Sequence, residues 1–247
     1  MNAIYILWLR ALKRYFRNRS RIIGSLGQPL LFLIALGLGF GPIYARAGGG
    51  NYLNVLAPGV IAMSILFTGI FNGIEIIWDR QFGFLKETMV APVSRFEIML
   101  GRTLGGATVA IIQGIVVLIL TIIIGFRPDL HDIPLAIVFM FLISILFTSL
   151  GTAIGSTLND MQGFQLIMNF IVQPIFFLSG ALFPLTGLTG AIAIVTRIDP
   201  LAYGVDGLRG TLTNVSTYSL GLDIIILTTL SAILLALGSY LFSKIEI

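Results

Sequence analysis

Residues that could carry out covalent or metal chemistry are scarce in this sequence. Its 247 residues include no cysteine and one histidine, His131. The lack of cysteine excludes disulfides and thiolate chemistry, and a single imidazole supplies too few ligands for a metal site. No paired carboxylates or activated nucleophile fall within the apolar segments. We therefore expect no catalytic residue, no metal and no cofactor in this chain.

The sequence also lacks the loop that binds ATP in many motor proteins. That loop needs a glycine-lysine pair within a Gly-x4-Gly-Lys-Ser/Thr frame, and no glycine here is followed by lysine. If ATP drives this protein, we expect a separate subunit to bind it.

Four polar side chains interrupt otherwise apolar segments. Gln165, Asn169 and Gln173 recur every four residues, which places them on one face of a helix. Amides in hydrocarbon need hydrogen-bond partners, so these three either join neighbouring helices or line a polar path for a transported molecule. Glu75 lies close to the end of an apolar run. It either reaches interfacial water or Arg80, or takes part in gating or coupling.

Six long segments contain no charged residue. Hydrophobic residues make up 57% of the chain and charged residues 11%, which indicates bilayer as the surroundings. A helix crosses roughly 30 Å of hydrocarbon with about 20 residues, and these apolar runs do not alternate as barrel strands do. The segments are 22–45, 47–74, 103–126, 133–159, 161–196 and 224–243. They predict an all-α membrane protein with six transmembrane helices in a single permease domain over residues 1–247.

The basic residues predict the orientation of these helices. Eleven of the 15 lysines and arginines lie in segments on the N-terminal side of the membrane, and four lie on the other side. This bias places both termini in the cytoplasm, as in a multi-pass protein of the inner cell membrane. Anionic membrane lipid then accounts for the net charge of +4, and we expect no nucleic-acid partner.

Residues 1–21 predict an amphipathic helix at the membrane interface. Apolar and basic residues occupy separate arcs at helical spacing, which would place Trp8 and Tyr15 at headgroup depth. Such a helix either anchors the orientation or slides and transmits motion to the spans.

Residues 80–90 predict a second amphipathic helix, between the second and third spans. Phe82, Leu85 and Met89 would share one side, and Pro92 would end the helix. A helix of this kind either lies in a groove on another protein or rests on the lipid surface.

The charge-free run after the fourth span is interrupted at Phe183-Pro184 and Gly187. The apolar residues that follow, up to Arg197, are fewer than the about 20 needed to cross again. The sequence therefore predicts a re-entrant or interfacial hairpin on the outer side, between spans five and six.

Small residues recur at packing intervals in the third and fourth spans. They let helix backbones approach closely in lipid, where the hydrophobic effect does not drive helices together. These residues are Gly101, Gly105, Gly106, Ser144, Thr148, Gly151 and Gly155. We interpret them as structural.

Three motifs, in this order and at this separation, cover nearly the whole chain. They are GFLKE at 83–87 with APVSR at 91–95, LSGALFPL at 178–185, and DPLAYGVDGLRG at 199–210. Together they resemble the type 2 ABC exporter permeases, a family that includes daunorubicin-efflux and nodulation-export proteins.

This resemblance implies a homodimer, or close heterodimer, of six-span subunits above two ABC ATP-binding subunits, which would hold ATP and Mg. Spans one, two and five would border the export path, beside Glu75 and the three amides, and residues 186–212 would form the outer hairpin. The implied coupling helix, which docks on the ATPase, comprises Arg80, Gln81, Phe82, Gly83, Phe84, Leu85, Lys86, Glu87 and Thr88. The residues of interest around the hairpin are Pro184, Asp199, Pro200, Tyr203, Asp206 and Arg209.

An ion-coupled secondary transporter is the alternative function. Such carriers usually need acidic residues deep in the membrane, and Glu75 is the acid that approaches that depth. We interpret Asp206 and Arg209, three residues apart on an outer helix, as a structural ion pair. None of the motifs distinguishes a drug-like, a lipid-linked or a polysaccharide cargo.

Overall fold

The computed structural model describes residues 3–84, 92–185 and 189–244, apart from the side chain of Arg21. In this described part the regular structure is entirely helical. The helices are α1 (Ala3–Arg17), α2 (Arg19–Gly39), α3 (Gly41–Arg46), α4 (Leu53–Phe71), α5 (Ile74–Gln81), α6 (Arg95–Ile124), α7 (Ile133–Thr157), α8 (Met161–Ile167), a π-helical segment (Met168–Val172), α9 (Gln173–Leu178), α10 (Gly190–Ile198), α11 (Pro200–Thr213) and α12 (Leu220–Ser243).

Among the described residues, six helical stretches are long and apolar enough to cross a bilayer, which confirms the predicted number of spans. They are Ile22–Gly39, Leu53–Gln81, Arg95–Ile124, Ile133–Thr157, Met161–Leu178 and Leu220–Ser243. Their depth in a membrane and the re-entrant path of the hairpin stay predictions.

Helix α4 forms the centre of the bundle. In the most apolar stretch of the α4–α5 span 78% of the residues are buried, against 11% in α2, 22% in the α8–α9 span and 17% in α12. Helices α2, α6, α7 and α11 all pack on α4. The outer helices therefore leave broad apolar faces uncovered within one copy of the chain.

The two ends of the helix bundle are distinguished by the contacts found there. At the end that we call the hairpin end, Asp129 donates its backbone N–H to the carbonyl of Leu212 over 3.0 Å, and the Tyr52 hydroxyl donates to the carbonyl of Leu182 over 2.8 Å. Helix α6 begins at the opposite end, where α5 finishes. We call this second end the cluster end, because ionised side chains gather there.

Helix α1 runs beside the first half of α6 in the same direction. A Cβ on Gly101 would lie 3.0 Å from Ile4, and the Tyr15 hydroxyl donates to Gln113 over 2.9 Å. The indole of Trp8 donates to Thr108 over 3.0 Å. Helix α1 covers residues 3–17 of the predicted amphipathic helix, and Trp8 and Tyr15 bond to α6, while their depth in the membrane stays a prediction. Their side chains find protein partners because α6 supplies acceptors along this face.

Glycines allow direct backbone contact between α7 and the second span. A Cβ on Gly151 would lie 2.5 Å from the carbonyl oxygen of Ile70, and one on Gly155 would lie 2.2 Å from that of Gly73. A Cβ on Gly105 would lie 2.7 Å from the side chain of Ala11 on α1. The packing role predicted for these glycines is confirmed.

Adding a methyl group at this contact should destabilise the fold. In Gly151→Ala the new Cβ meets backbone atoms of Ile70, which cannot rotate away, so we expect the free energy of unfolding to fall by about 1–3 kcal/mol. Gly221→Ala is the matched control, because its Cβ would meet nothing within 4 Å. Thermal unfolding of the purified variants measures the difference, and equal midpoints would contradict the close contact.

Candidate functional site

Five ionised side chains from α1, α5 and α6 meet at the cluster end. Asp79 accepts from Arg102 over 2.6 Å and from Arg10 over 3.2 Å, and Arg14 lies 3.7 Å from the same carboxylate. Arg14 also lies 2.9 Å from a carboxylate oxygen of Glu75. We call these five residues the charge cluster.

Helical spacing explains how the charge cluster forms. Arg10 and Arg14 are four residues apart on α1, and Glu75 and Asp79 are four apart on α5, so each pair lies on one face of its helix. The two faces meet with opposite charge, while Arg102 reaches in from α6. The cluster therefore fixes three chain segments, which are distant in sequence, against one another.

Burial makes the Asp79 carboxylate the critical member of the cluster. Its side chain is 5% exposed and that of Arg102 is 11% exposed, whereas Arg10 and Arg14 are 38% and 34% exposed. A charge removed from water is tolerated when it is paired, and removing its partner leaves an uncompensated ion. Sequence reasoning missed Asp79, Arg10, Arg14 and Arg102 as a set, although the paired four-residue spacings were a usable signal.

The structure identifies an ion-pair partner for Glu75 on α1. The structure pairs Glu75 with Arg14, whereas Arg80, predicted as an alternative to interfacial water, bonds elsewhere. Arg80 donates instead to the carbonyls of Ser156 and Leu158, over 2.8 and 3.0 Å, and to the side chain of Asn159. The guanidinium of Arg80 satisfies carbonyls at the C-terminal end of α7, which have no helical partner.

A turn at Phe82 and Gly83 interrupts the start of the predicted coupling helix, residues 80–90. Arg80 and Gln81 form the end of α5, which stops at Phe82 and Gly83. Gly83 has φ +79°, a left-handed backbone conformation that residues with a Cβ rarely adopt. This conformation ends the helix. Beyond this turn, Leu85, Lys86, Glu87 and Thr88 lie outside the described residues. The structure therefore corrects the start of the predicted helix and leaves the remainder a prediction.

Exposed aromatic side chains mark this turn. Phe82 is 72% exposed and Phe84 is 50% exposed. Gln81 donates to the carbonyl of Asn159 over 3.4 Å, which ties the turn to the α7–α8 connection. The turn thus presents an apolar surface on a backbone that is fixed to two spans.

The three amides lie on the little-buried α8–α9 span. Gln165 donates to Asn169 over 3.3 Å, and both residues are exposed. Between Asn169 and Gln173 the chain is π-helical, and the backbone N–H of Gln173 donates to Met168, five residues earlier. Two of the amides are therefore neighbours as predicted, on a face that the described chain leaves open.

Asp206 and Arg209 are both buried, but the predicted ion pair between them is wrong. Among the described residues, Asp206 accepts from the backbone N–H groups of Thr217 and Tyr218, each over 2.8 Å. Arg209 donates to the carbonyl of Gly180 over 2.7 Å. Each charge is closer to backbone groups brought in by another segment than to its neighbour on α11.

Arg209 joins two of the motifs recognised in the sequence. Its guanidinium also donates to the carbonyl of Val55 over 3.3 Å, so it links α11, the start of α4 and the turn at Gly180. Gly180 has φ +75, which favours glycine at this point of the 178–185 motif. The motifs at 178–185 and 199–210 therefore meet at one buried cation.

Asp199 begins α11 at the bend of the hairpin. One carboxylate oxygen accepts from the backbone N–H of Leu201 over 2.8 Å, and Pro200 occupies the first helical position. Burial raises the pKa of Asp199 to about 7. Tyr203 donates to the carbonyl of Arg197 over 2.6 Å, which fastens α10 to α11, and Pro184 is half-buried just before the undescribed residues 186–188.

One buried acid was missed by sequence reasoning. Asp223 lies in the first turn of α12 and is fully buried, and neither of its carboxylate oxygens has a hydrogen-bond partner in the described part of the chain. The sixth charge-free segment begins at residue 224, so Asp223 lies just outside the span predicted from the sequence.

Six helical stretches of the described residues are able to cross a membrane, and one of them is buried at the centre of the bundle, which defines this chain as a multi-pass α-helical membrane protein. The family model of ABC-2 type transporters matches residues 2–213, and the chain belongs to that family. The family resemblance noted in the three motifs is thereby confirmed.

Curated relatives agree with this assignment. Nodulation protein J of Rhizobium meliloti (strain 1021) is 29% identical over 192 residues, covering 77% of this chain and 73% of its own. Nodulation protein J of Rhizobium leguminosarum bv. trifolii is 29% identical over 207 residues, covering 83% and 76%. The putative transport permease ycf38 of Cyanophora paradoxa is 26% identical over 210 residues, covering 83% and 72%.

Breaking the charge cluster at its buried acid should destabilise the protein. Asp79→Leu leaves Arg102 buried without its carboxylate, and we expect the free energy of unfolding to fall by about 3–5 kcal/mol. Asp79→Leu combined with Arg102→Leu should recover part of that loss, because no lone charge remains. Asp132→Asn, which removes an acid without a side-chain capping bond, is the control. Strictly additive losses in the double variant would show that the pair is not coupled.

The hairpin end should respond to pH through Asp199. Its pKa is raised above the unfolded value, so the folded state binds the proton more tightly and stability falls as pH rises from about 4 to about 7. Asp199→Asn keeps an acceptor for Leu201 and removes the ionisation, so its unfolding midpoint should lose this dependence. Thermal unfolding at pH 5 and pH 8 compares the two proteins, and identical pH profiles would contradict the assignment.

Proposed function

We propose that this chain is the transmembrane subunit of an ATP-driven ABC exporter. Two copies, or this chain and a close relative, would form the export path above two ABC ATP-binding subunits, which carry ATP and Mg. Membership of the ABC-2 family implies an ABC ATP-binding partner, and the names of the relatives support a transport permease subunit. The cargo would be drug-like, lipid-linked or a polysaccharide.

We assign the contact with the ATP-binding subunit to the turn after α5. Phe82 projects from the end of a helix that is held by the charge cluster on one side and by Arg80 on the other. Because α5 continues the central span through Asn72 and Gly73, a push on this turn is passed directly to the most buried helix of the bundle. Rigid-body movement of this kind is a common way to open a path between subunits.

The exposed amides on the α8–α9 span support either a polar path for the cargo or a contact between two copies of this chain. Gln165 and Asn169 lie on a span whose outward face has no cover within one chain, next to exposed Phe170. Amide groups are unfavourable against hydrocarbon, so a second copy or a water-filled path is a better environment than lipid. Both termini would lie in the cytoplasm, which the excess of basic residues at the cluster end supports.

Ion-coupled transport is the second candidate, because Asp223 is a buried acid within a span. Carriers of this type bind their coupling ion or proton at such residues. Transport that continues without ATP but stops when the ion gradient is collapsed would favour this candidate over the first.

Replacing the exposed aromatic at the turn should uncouple the two subunits. In Phe82→Asp a charge replaces an apolar contact, so the ATP-binding subunit should no longer co-purify and the permease should no longer stimulate its ATPase activity. Stability should stay unchanged, because Phe82 is 72% exposed. Val215→Asp, at a 58% exposed apolar residue of the hairpin end, is the matched control and should retain both properties. Normal assembly and normal ATPase stimulation in Phe82→Asp would refute the docking assignment.

A further inference from the structure

A chamber of ≈ 520 Å³ lies between α1, α2, α4 and α5. Its volume falls within the roughly 300–1,000 Å³ typical of small-molecule sites. Met63, Phe67, Phe71, Ile74 and Trp78 supply apolar walls. Phe71 and Trp78 are 39% and 43% exposed, so the apolar wall extends from the buried interior to the surface. The chamber is thus suited to a flexible apolar chain.

A basic groove adjoins this chamber. It is lined by residues of α1 and the start of α2, and it shares Arg14 and Asn18 with the chamber. The groove is lined by five cations and no acid, namely Arg10, Lys13, Arg14, Arg17 and Arg19. The two spaces therefore adjoin at Arg14 and Asn18, with apolar walls on one side and cations on the other.

Three of the five cations are not neutralised by the charge cluster. Arg10 and Arg14 pair with Asp79 and Glu75, whereas Lys13, Arg17 and Arg19 are exposed and have no ion pair within 4.0 Å among the described residues. The mutual repulsion of clustered cations is relieved when an anion binds among them. An apolar wall beside the cations favours an anion that also carries an apolar chain.

We propose that the chamber and the groove together bind one amphiphile with an anionic phosphate headgroup, its head in the groove and its chain in the chamber. A phosphodiester offers oxygens to several arginines and lysines at once. A free phosphate would make no contact with the apolar walls of the chamber. A neutral lipid would leave the cations of the groove unpaired. The site belongs to a single copy and does not depend on ATP-driven transport.

The walls of the chamber allow a test in which charge and volume are changed separately. Gly24 lines the chamber, and a Cβ there would meet nothing within 4 Å, so Gly24→Phe fills the space without a backbone clash. Gly27 lies one turn further along α2, also has nothing within 4 Å, and does not line the chamber, which makes Gly27→Phe its matched control. Gly24→Leu serves in place of the phenylalanine variant if that variant does not fold.

The headgroup is tested by removing the three unpaired cations. The variant is Lys13→Gln with Arg17→Gln and Arg19→Gln, and its control removes three exposed cations elsewhere, with Arg46→Gln, Arg127→Gln and Arg197→Gln. Binding of phosphatidylglycerol to the purified full chain is measured by native mass spectrometry, with phosphatidylcholine and inorganic phosphate as comparison probes.

We expect each test variant to weaken phosphatidylglycerol binding at least tenfold, while both controls stay within twofold of the unaltered chain. If only the cation variant lost phosphatidylglycerol binding, the groove would attract anionic surfaces in general without using the chamber. That result would overturn the proposed site. Equal binding of phosphatidylcholine, or of inorganic phosphate, would overturn it too. The amphiphile that co-purifies from membranes, identified by mass spectrometry, distinguishes a bilayer phospholipid from a transported molecule; either one supports the site.

Discussion

The buried carboxylate of Asp79 is the interaction on which the arrangement of the cluster end depends. It receives hydrogen bonds from Arg10 and Arg102, which arrive from α1 and α6, while its own helix continues the central span. Because a buried acid of this kind is stable only with its partners in place, the positions of all three helices are linked. Helix α1 cannot leave α6, and α5 cannot tilt, without separating charges that are shielded from water.

This linkage makes the chain rigid next to the proposed ATPase contact, the turn after α5. The turn at Phe82 and Gly83 is exposed, but the residues just before it are fixed through Arg80 to the end of α7. Backbone contact between Gly73 and Gly155 holds the same two helices a few residues away. A force applied at the turn would therefore move α5, the central span and α7 together, with little loss through side-chain flexibility.

Most of the fold could be predicted from the sequence, because the number of spans depends on composition alone. Charge-free runs gave the six helices, and the small residues of α7 gave their close packing on the second span. Four-residue spacing indicates which charged residues share one face of a helix, but which faces meet depends also on the rotation of one helix against another. Glu75 therefore pairs with Arg14, where interfacial water or Arg80 was predicted, and Arg209 bonds to carbonyls of two other segments, where an ion pair with Asp206 was predicted.

The position of Arg209 also restricts how a cargo could leave. This cation is 4% exposed and bonds to carbonyls near the start of the central span and in the turn at Gly180. A vertical exit through one copy would have to strip the guanidinium of these acceptors inside an apolar interior. In the proposed two-copy assembly, a path to the hairpin side would therefore run between the copies, because a path through one copy would meet this buried and bonded cation.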